Sequence, residues 1–388
     1  MTESLSIQIA KTVEEVEAMR PAWTAMQSNP DGDIDFFLTL LKTNREILRP
    51  HVITLWDNDG IRSILVGRIE RKHLTVGFGY AKMPLPSARC LTIIGSGLFG
   101  DRSDRAVSAL FDSVEKSLKD REVDVVWFHQ IEGSSNVDAR VRHAMRWLRR
   151  DHFPSSIAHW KGRLAPTYEQ FLRKRSSATR NDLKRSARRL EKVVGDQISF
   201  KQFREPEEVD QLATDVEIVA SKSYHRSLNA GFIDNQETRQ RMSLYAKEGR
   251  LRVHILYVSE KPIAYWIGFI YQKTFYTWTT GYDPIYRQSA PGLFLLQRVL
   301  QDLCEEHIAE AVDFGSGYAQ YKRDLGDEDR PDVSLYWFGP SFRGIVVNLM
   351  RTPLLAMVSV ARRSLEKGNL LQTVKQAWRK HLSKTTGQ

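Results

Sequence analysis

Residues 274–296 read TFYTWTTGYDPIYRQSAPGLFLL, which describes a strand ending near Gly281, a short loop, and a helix that opens near Pro291. A helix that begins directly after a strand presents backbone N–H groups and the positive end of its dipole to whatever lies before it. Those groups bind pyrophosphates. Arg287 adds a fixed positive charge to the loop, and Ser289 adds a hydroxyl donor. An ordinary strand-to-helix connection is the competing interpretation.

The next predicted strand brings a carboxylate to the same region. It ends in Asp313-Phe-Gly-Ser-Gly317, and Tyr321-Lys322-Arg323 follows. Because α/β proteins bind ligands at the carboxyl ends of sheet strands, Asp313 can act there as a base or orient a nucleophile. Lys322 can meet a phosphate or stabilise an oxyanion. A turn-capping role for Asp313 and a solvated surface position for Lys322 are the plainer alternatives.

The same order of elements occurs twice along the chain. Each half holds a hairpin, a third strand, an amphipathic helix (103–119 or 291–307) and a fourth strand. Three pairs of residues mark the repeat, at offsets of 201, 186 and 186: Gly67 with Gly268, Gly95 with Gly281, and Phe128 with Phe314. A strand–helix–strand step requires parallel pairing and a right-handed crossover. The sequence therefore predicts an α/β fold with mixed sheets, duplicated into two similar halves over 1–160 and 161–340, with a basic amphipathic tail over 341–388.

Composition excludes several classes of protein. A chain of 388 residues with 41% hydrophobic and 27% charged residues is long enough for two folded domains. Its two cysteines, Cys90 and Cys304, rule out a disulfide scaffold and a cysteine-based zinc site. The start of the chain is polar and acidic, and the apolar run 345–361 is interrupted by polar residues and a proline. We therefore expect a cytoplasmic protein.

Positive charge is concentrated in two short segments. The net charge is +10, yet residues 161–192 carry +8, residues 341–388 carry another +8, and the rest of the molecule is acidic. A nucleic-acid-binding protein usually spreads basic charge over a whole face, so DNA is not an expected partner. The pattern fits a phosphate-bearing ligand or an anionic surface better.

Each basic segment is either an ordinary solvent-exposed surface or a binding site for an anionic partner. Arg180, Lys184 and Arg188 recur on one face of a predicted helix, with Arg185 adjoining. This face is either merely solvated or a clamp for a phosphorylated acceptor, such as a lipid-linked or nucleotide-linked sugar, or for tRNA. The bases of the tail stand beside apolar residues, so the tail contacts an anionic membrane peripherally, packs on its own domain or is mobile.

Residues 95–100, GSGLFG, match the dinucleotide-binding pattern G-x-G-x-x-G after a strand and before a helix. However, hairpins precede this unit, and the acid that binds the ribose is missing from the end of the next strand, where Gln130 and Glu132 stand. We therefore interpret these glycines as a repurposed loop of the first half.

Two stretches also resemble a known family. The segment GYDPIYRQSAPGLFLL followed by VDFGSGYAQYKRDLG resembles the CelD-like acetyltransferases of the GNAT superfamily, which are linked to exopolysaccharide clusters. Residues 176–190, SSATRNDLKRSARRL, resemble the Ser- and Arg-rich helix that begins the domain in that family. More distantly, the chain resembles the Fem-type aminoacyl ligases of peptidoglycan synthesis, doubled GNAT folds whose aromatic-Lys motif matches Tyr321-Lys322. The resemblance covers about residues 160–340 by motif and the first half by architecture alone.

The resemblance implies an acyltransferase whose second half transfers an acyl group from acetyl-CoA or another acyl-CoA to an amine or hydroxyl, by holding donor and acceptor together. It implies an acceptor that is a cell-surface polysaccharide or amino-sugar precursor. The sequence has no His-Glu-x-x-His motif, and we expect no metal. The residues it assigns to CoA are Gly281, Tyr282, Arg287, Gln288, Ser289, Ala290, Gly292 and Leu293. The catalytic candidates are Asp313, Lys322, Tyr321 and His225, and the substrate-binding candidates are Arg180, Lys184 and Arg185.

One departure from the family pattern keeps two other functions open. The usual GNAT loop is Arg/Gln-x-x-Gly-x-Gly/Ala, whereas Arg287-Gln-Ser-Ala-Pro-Gly292 lacks the first glycine. An aminoacyl-tRNA-dependent ligase of the Fem type is therefore one alternative. A non-catalytic binding protein that kept the fold and lost the donor site is the other.

Overall fold

The chain divides into two compact units. The computed structural model describes residues 5–78, 81–223, 226 and 231–367. Within them, the first unit comprises residues up to 157 together with those from 331 onward, and the second comprises residues 158–330. The sequence places 331–340 in the second half, whereas these residues lie in the first unit. Residues 368–388 of the predicted tail, and His225, lie outside the described residues.

The strands follow the predicted hairpins and crossovers, and β4 extends beyond the second strand of the first hairpin, which the sequence predicts over 61–70. Their bounds are β1 (Ser6–Ala10), β2 (Ile47–Pro50), β3 (Val52–Asp57), β4 (Gly60–Phe78), β5 (Ala81–Gly100), β6 (Val125–Glu132), β7 (Ser155–Arg163), β8 (Ile198–Phe203), β9 (Leu251–Val258), β10 (Lys261–Tyr271), β11 (Thr274–Tyr282), β12 (Ala311–Ser316) and β13 (Asp327–Phe338).

The helices include both predicted crossover helices, which begin within one residue of the predicted start. Their bounds are α1 (Val13–Ala18), α2 (Arg20–Met26), α3 (Ile34–Thr43), α4 (Asp104–Lys119), α5 (Asn136–Ala144), α6 (Tyr168–Arg173), α7 (Ser177–Val194), α8 (Val209–Ala220), α9 (Gln236–Lys247), α10 (Pro291–Glu306), α11 (Gln320–Leu325) and α12 (Phe342–Lys367).

The two units repeat one strand order. In the first unit the order is β1-β3-β4-β5-β6-β13, with β2 also pairing β4, and in the second it is β8-β9-β10-β11-β12-β7. Among the described residues, each unit has one parallel pair at the same place, β5 with β6 and β11 with β12, and the other pairs named here are antiparallel. The duplicated, mixed α/β fold is therefore confirmed.

The last strand of each sheet comes from the other half of the sequence. β13 pairs with β6 in the first unit, and β7 pairs with β12 in the second. The sequence of either half alone therefore supplies five strands of this order, and the sixth comes from the other half. This exchange explains why residues 331–338 belong with the first unit.

Helices cover both faces of each sheet. In the second unit, α10 and α7 pack over Phe314 and Trp266 on one face. On the other face, α8 and α9 pack over Tyr265 and Phe269. In the first unit, α4 covers Phe128 on one face, and α12 packs over Phe338 on the opposite face. These buried layers fix the strand ends that carry the candidate site.

Candidate active site

The parallel strands of the second unit separate at their carboxyl ends. β11 and β12 pair from Thr274 with Ala311 to Tyr276 with Asp313. Beyond Tyr276, the described part of β11 pairs with β10 as far as Tyr282. β12 instead continues beside β7, where Ser316 pairs with His159. Because each strand follows its other neighbour, a wedge opens between them, and this is where α/β sheets bind ligands.

The turn after β11 leads directly into the first turn of α10. A single 3₁₀ segment, Pro284–Ser289, connects them, and Ala290 adopts the left-handed backbone conformation with φ +48°. Asp283 is buried at the start of this turn, where its carboxylate accepts from the Ile285 amide and pairs with Lys222 Nζ at 2.7 Å. The turn is therefore fixed at its first residue.

The amino terminus of α10 is the predicted anion site, and its geometry is specific. Within the described residues no side chain caps this helix. Pro291 has no N–H, and the amides of Leu293 and Phe294 both donate to the Ala290 carbonyl at 3.1 Å. The amide of Gly292 is therefore the first-turn donor that faces no helix carbonyl. A Cβ added at Gly292 would meet its nearest atom, Cδ1 of Tyr282, at 3.5 Å, an ordinary van der Waals distance, so neighbouring atoms do not crowd the backbone there.

The other predicted CoA residues differ in exposure. Arg287 and Gln288 are exposed at the turn, whereas Ser289 is buried. Leu293 and Tyr282 are partly buried against the core under α10. Gly281 lies in β11 beside the ring of Tyr265, where an added Cβ would approach Cε1 to 2.7 Å. Arg287 is thus the charged group of this set that a ligand can reach from solvent.

A histidine that the sequence did not predict pairs with Asp313. His159 Nε2 lies 2.9 Å from Oδ1 and 3.0 Å from Oδ2 of Asp313. Asp313 is buried and also accepts from the Gly315 amide at 2.8 Å, and Lys161 Nζ lies 3.9 Å from its Oδ2. A carboxylate held this firmly orients the imidazole ring and fixes its tautomer.

Strand register places this pair on one face of the sheet. Asp313 is opposite Tyr276 in β11 and opposite Lys161 in β7, so these side chains share a face. Trp278 continues that face along β11, and the guanidinium of Arg241 lies 4.3 Å from its ring centroid. The face of the sheet that carries Asp313 and faces α9 therefore combines aromatic and polar side chains.

Lys322 and Tyr321, two of the catalytic candidates, make contacts within the second unit. Lys322 Nζ donates to the carbonyls of Ser316 and Gly315 at 2.8 and 3.3 Å, so it holds the loop that follows Asp313. Burial lowers the pKa of Lys322, and the nearby Asp313 carboxylate opposes that shift. The ring of Tyr321 packs edge-on against Trp266, and burial raises the pKa of its hydroxyl. These contacts stabilise the segment that follows Asp313, and a catalytic role of either residue remains a prediction.

The basic helix α7 lies against α10. Leu183 and Ser186 are buried, and Gln297 of α10 donates to the Leu183 carbonyl at 3.2 Å and to the Ser186 hydroxyl at 3.0 Å. Lys184 and Arg185 are exposed, with Arg185 paired to Asp182, while Arg180 is half-buried and donates to the Arg175 carbonyl. The predicted clamp is thus exposed at Lys184 and Arg185 and partly used internally at Arg180.

The glycine-rich motif of the first unit forms no phosphate-binding turn. Gly95 to Gly100 lie inside β5, and α4 begins only at Asp104 behind the Ser103 cap. A Cβ at Gly95 would meet the carbonyl oxygen of Gln130 at 2.1 Å, so this glycine lets two strands approach closely. The dinucleotide pattern is explained by strand packing.

The sequence did not identify His159 as a candidate because the strand that carries it was not predicted. Ser155 to Arg163 reads SSIAHWKGR, in which His159 and Lys161 alternate with Trp160 and Gly162. This period of two is the signal of a strand. Its partner, Asp313, lies 154 positions away, and no local pattern pairs residues at that distance.

Comparison with known proteins agrees with this fold. Residues 177–323 match the model of the family described as an acetyltransferase (GNAT) domain. A tandem GNAT protein from the clavulanic acid biosynthesis pathway superposes with a TM-score of 0.51 at 12% identity, over 87% of this chain and 100% of that one. The chain has a duplicated GNAT-like fold.

Two further structures share this duplicated GNAT-like fold. The C-terminal domain of a putative lysylphosphatidylglycerol synthetase from Agrobacterium fabrum gives a TM-score of 0.50 at 13% identity, over 88% of this chain and 96% of that one. FemX gives 0.50 at 10% identity, over 84% and 96%. No curated protein matches this chain in sequence. At these identities the likeness establishes the fold, and the CelD-like assignment remains a prediction.

Proposed function

We propose that this chain is a GNAT-type acyltransferase that moves an acyl group from acyl-CoA to an amine or hydroxyl of a cell-surface polysaccharide or amino-sugar precursor. The observation that carries the proposal is the wedge between β11 and β12, which holds the His159–Asp313 pair on one side and the uncapped start of α10 on the other. The match of residues 177–323 to an acetyltransferase family supports it.

The residues around the start of α10 fit the pyrophosphate of an acyl-CoA. The Gly292 amide and the helix dipole favour an anion, and Arg287 supplies an exposed positive charge at the same turn. Because neighbouring atoms do not crowd Gly292, a ligand can approach its backbone. With the pyrophosphate there, the thioester lies toward the wedge, and Gly281 and Tyr282 line the intervening strand end.

The His159–Asp313 pair supplies the proton chemistry. If Nε2 carries the proton that Asp313 accepts, Nδ1 is the basic nitrogen of the ring. The acceptor nitrogen or oxygen attacks the thioester carbonyl while His159 takes its proton, and the departing thiolate is protonated from solvent. Asp313 positions the ring and stabilises the imidazolium, which assigns the base to His159 and a positioning role to Asp313.

The exposed bases of α7 support a phosphorylated acceptor. Lys184 and Arg185 lie on the helix that packs against α10, so their charge is close to the donor turn. A nucleotide-linked or lipid-linked sugar carries the phosphates that such a face binds. The sugar class itself comes from the family resemblance.

An aminoacyl-tRNA donor is the second candidate. It is favoured by the single open amide at the start of α10, since Pro291 and the Ala290 carbonyl remove the others, and by the basic face of α7. Such binding would be steeply salt-dependent, because phosphate contacts release counterions.

An acceptor panel tests the proposal. Purified protein is incubated with acetyl-CoA and nucleotide-linked amino sugars, free amino sugars or buffer, with thiol release and acceptor mass as readouts. We expect turnover with a phosphorylated amino sugar, and a higher KM for it in a Lys184→Ala/Arg185→Ala variant. Transfer only from aminoacyl-tRNA would establish the second candidate. Absence of transfer from either donor, with acceptor binding retained, would establish the non-catalytic binding protein.

A further inference from the structure

Helix α12 of the first unit is apolar on both of its sides. One side packs on the sheet, where Val347 is fully buried and Leu354, Leu355 and Val358 are partly buried. The opposite side forms one exposed stripe along the helix: Phe342, Ile345, Leu349, Met357 and Val360. A surface helix normally presents polar residues on that side. Contiguous exposed apolar surface of this kind marks an interaction site.

The packed side of α12 is anchored by polar contacts. Arg351 Nη1 pairs with Asp151 Oδ1 at 2.5 Å, and its guanidinium lies 4.8 Å from the ring centroid of Tyr336. Asn348 donates from Nδ2 to the Leu148 carbonyl at 2.8 Å. Residues 342–364 are long and apolar enough to span a bilayer. An 18-residue stretch of this segment has a mean hydropathy of 1.6, and 22% of that stretch is buried. Because a spanning helix would have to break these contacts, α12 is suited to lie on a membrane rather than to cross it.

A second exposed apolar group adjoins the anchored side. Trp147 and Leu148 are 66% and 69% exposed, and the Leu148 carbonyl is the group that Asn348 binds. Arg146 and Arg150 flank them and are exposed as well. Exposed tryptophan with arginine at its edge is typical of side chains at the lipid–water boundary.

The positive charge of the C-terminal segment favours an anionic partner. Residues 341–388 contain nine Lys or Arg and one acid. On α12 itself Arg343, Arg362 and Arg363 are exposed, and Asp151, the acid that contacts the helix, is neutralised by Arg351. A second copy of this segment would bring two strongly positive surfaces together, which disfavours self-association. Basic charge beside an apolar stripe is complementary to an anionic lipid surface.

We propose that the stripe of α12, with Trp147 and Leu148, docks the first unit on a membrane that contains anionic lipids. The helix lies in the interface with its stripe toward the acyl chains and its arginines at the headgroups. This docking is independent of the acyltransferase proposal.

Vesicle flotation tests the docking with the full chain. The wild type is compared with Val360→Glu, and the matched control is Val193→Glu, because Val193 on α7 is also 62% exposed and the charge change is identical. On phosphatidylcholine–phosphatidylglycerol vesicles we expect Val360→Glu to bind about tenfold more weakly or worse, and Val193→Glu within about twofold of wild type. Met357→Glu is the second variant of the stripe, and circular dichroism checks that each variant is folded.

The charge requirement is tested separately. Arg362→Gln and Arg363→Gln are each expected to weaken binding about fivefold, and phosphatidylcholine vesicles alone to bind poorly. Equal loss in Val360→Glu and Val193→Glu, or no binding of wild type to anionic vesicles, would overturn the proposal. So would a concentration-dependent dimer that Val360→Glu dissociates, since the partner would then be a second copy.

Discussion

The two units share a strand order, yet their parallel strand pairs end differently. In the first unit β5 and β6 pair from Cys90 with Val125 to Ile94 with His129, and Gly95 then meets the backbone of Gln130. In the second unit pairing stops at Tyr276 with Asp313, after which the two strands follow different neighbours. The two parallel strands therefore stay in close contact in the first unit, whereas they separate in the second.

Two glycines at equivalent positions of the two units have different surroundings. Gly95 and Gly281 are related by the offset of 186, but a side chain at Gly95 would meet backbone atoms, while one at Gly281 would meet the ring of Tyr265. The duplicated sequence therefore retains the fold in both units. We expect donor binding and chemistry to be confined to the open one.

The largest expected effect is on turnover. His159→Ala removes the proposed base, so we expect kcat to fall by about 10²–10⁴-fold with little change in donor affinity. The control is His129→Ala, which changes the histidine at the end of the parallel pair in the first unit. Steady-state kinetics with acetyl-CoA measures both variants. Similar turnover in the two would remove His159 from the mechanism.

Asp313→Asn tests whether the carboxylate acts through the histidine. The amide retains the shape but not the charge that stabilises imidazolium, so we expect a lower kcat with KM nearly unchanged, and the acidic limb of the pH–rate profile, which reports protonation of the base, should move to lower pH. A lower kcat with an unmoved profile would indicate a structural role only.

The closed strand pair predicts a stability difference. Gly95→Ala places Cβ against Gln130 and Ile131 backbone atoms, so we expect about 3 kcal/mol of destabilisation. Gly281→Ala meets the Tyr265 ring, which can tilt, so we expect about 1 kcal/mol. Denaturant unfolding measures both, and equal losses would show that the two strand pairs are equally tight.

Acid should destabilise the first unit through His51. Burial, assisted by the neighbouring Arg49, lowers the pKa of His51 from 6.5 to about 4. Below pH 6.5 the unfolded chain binds a proton that the folded chain does not, so stability falls as the pH drops from 6.5 to 4, by up to about 3 kcal/mol. In His51→Gln this part of the slope should vanish. An unchanged slope would assign the acid sensitivity to other groups.

The sequence predicted the repeated units because their signals are local. The hairpin turns at Asp57–Gly60 and after Val258, and the crossover helices α4 and α10, each lie within a short stretch of chain. The exchange of β7 and β13 between the halves depends on pairing between distant residues, which has no local signal. For the same reason Asp313 was found without His159.

Calorimetric titration with acetyl-CoA is the most direct test of the claim that only the second unit keeps an open donor site. We predict one site per chain, weakened by about 1.5–3 kcal/mol in Arg287→Ala. Arg102→Ala should leave it unchanged, because Arg102 stands in the corresponding loop before α4 and donates to the Leu98 carbonyl. Two sites per chain, no binding, or equal weakening by both substitutions would contradict the account.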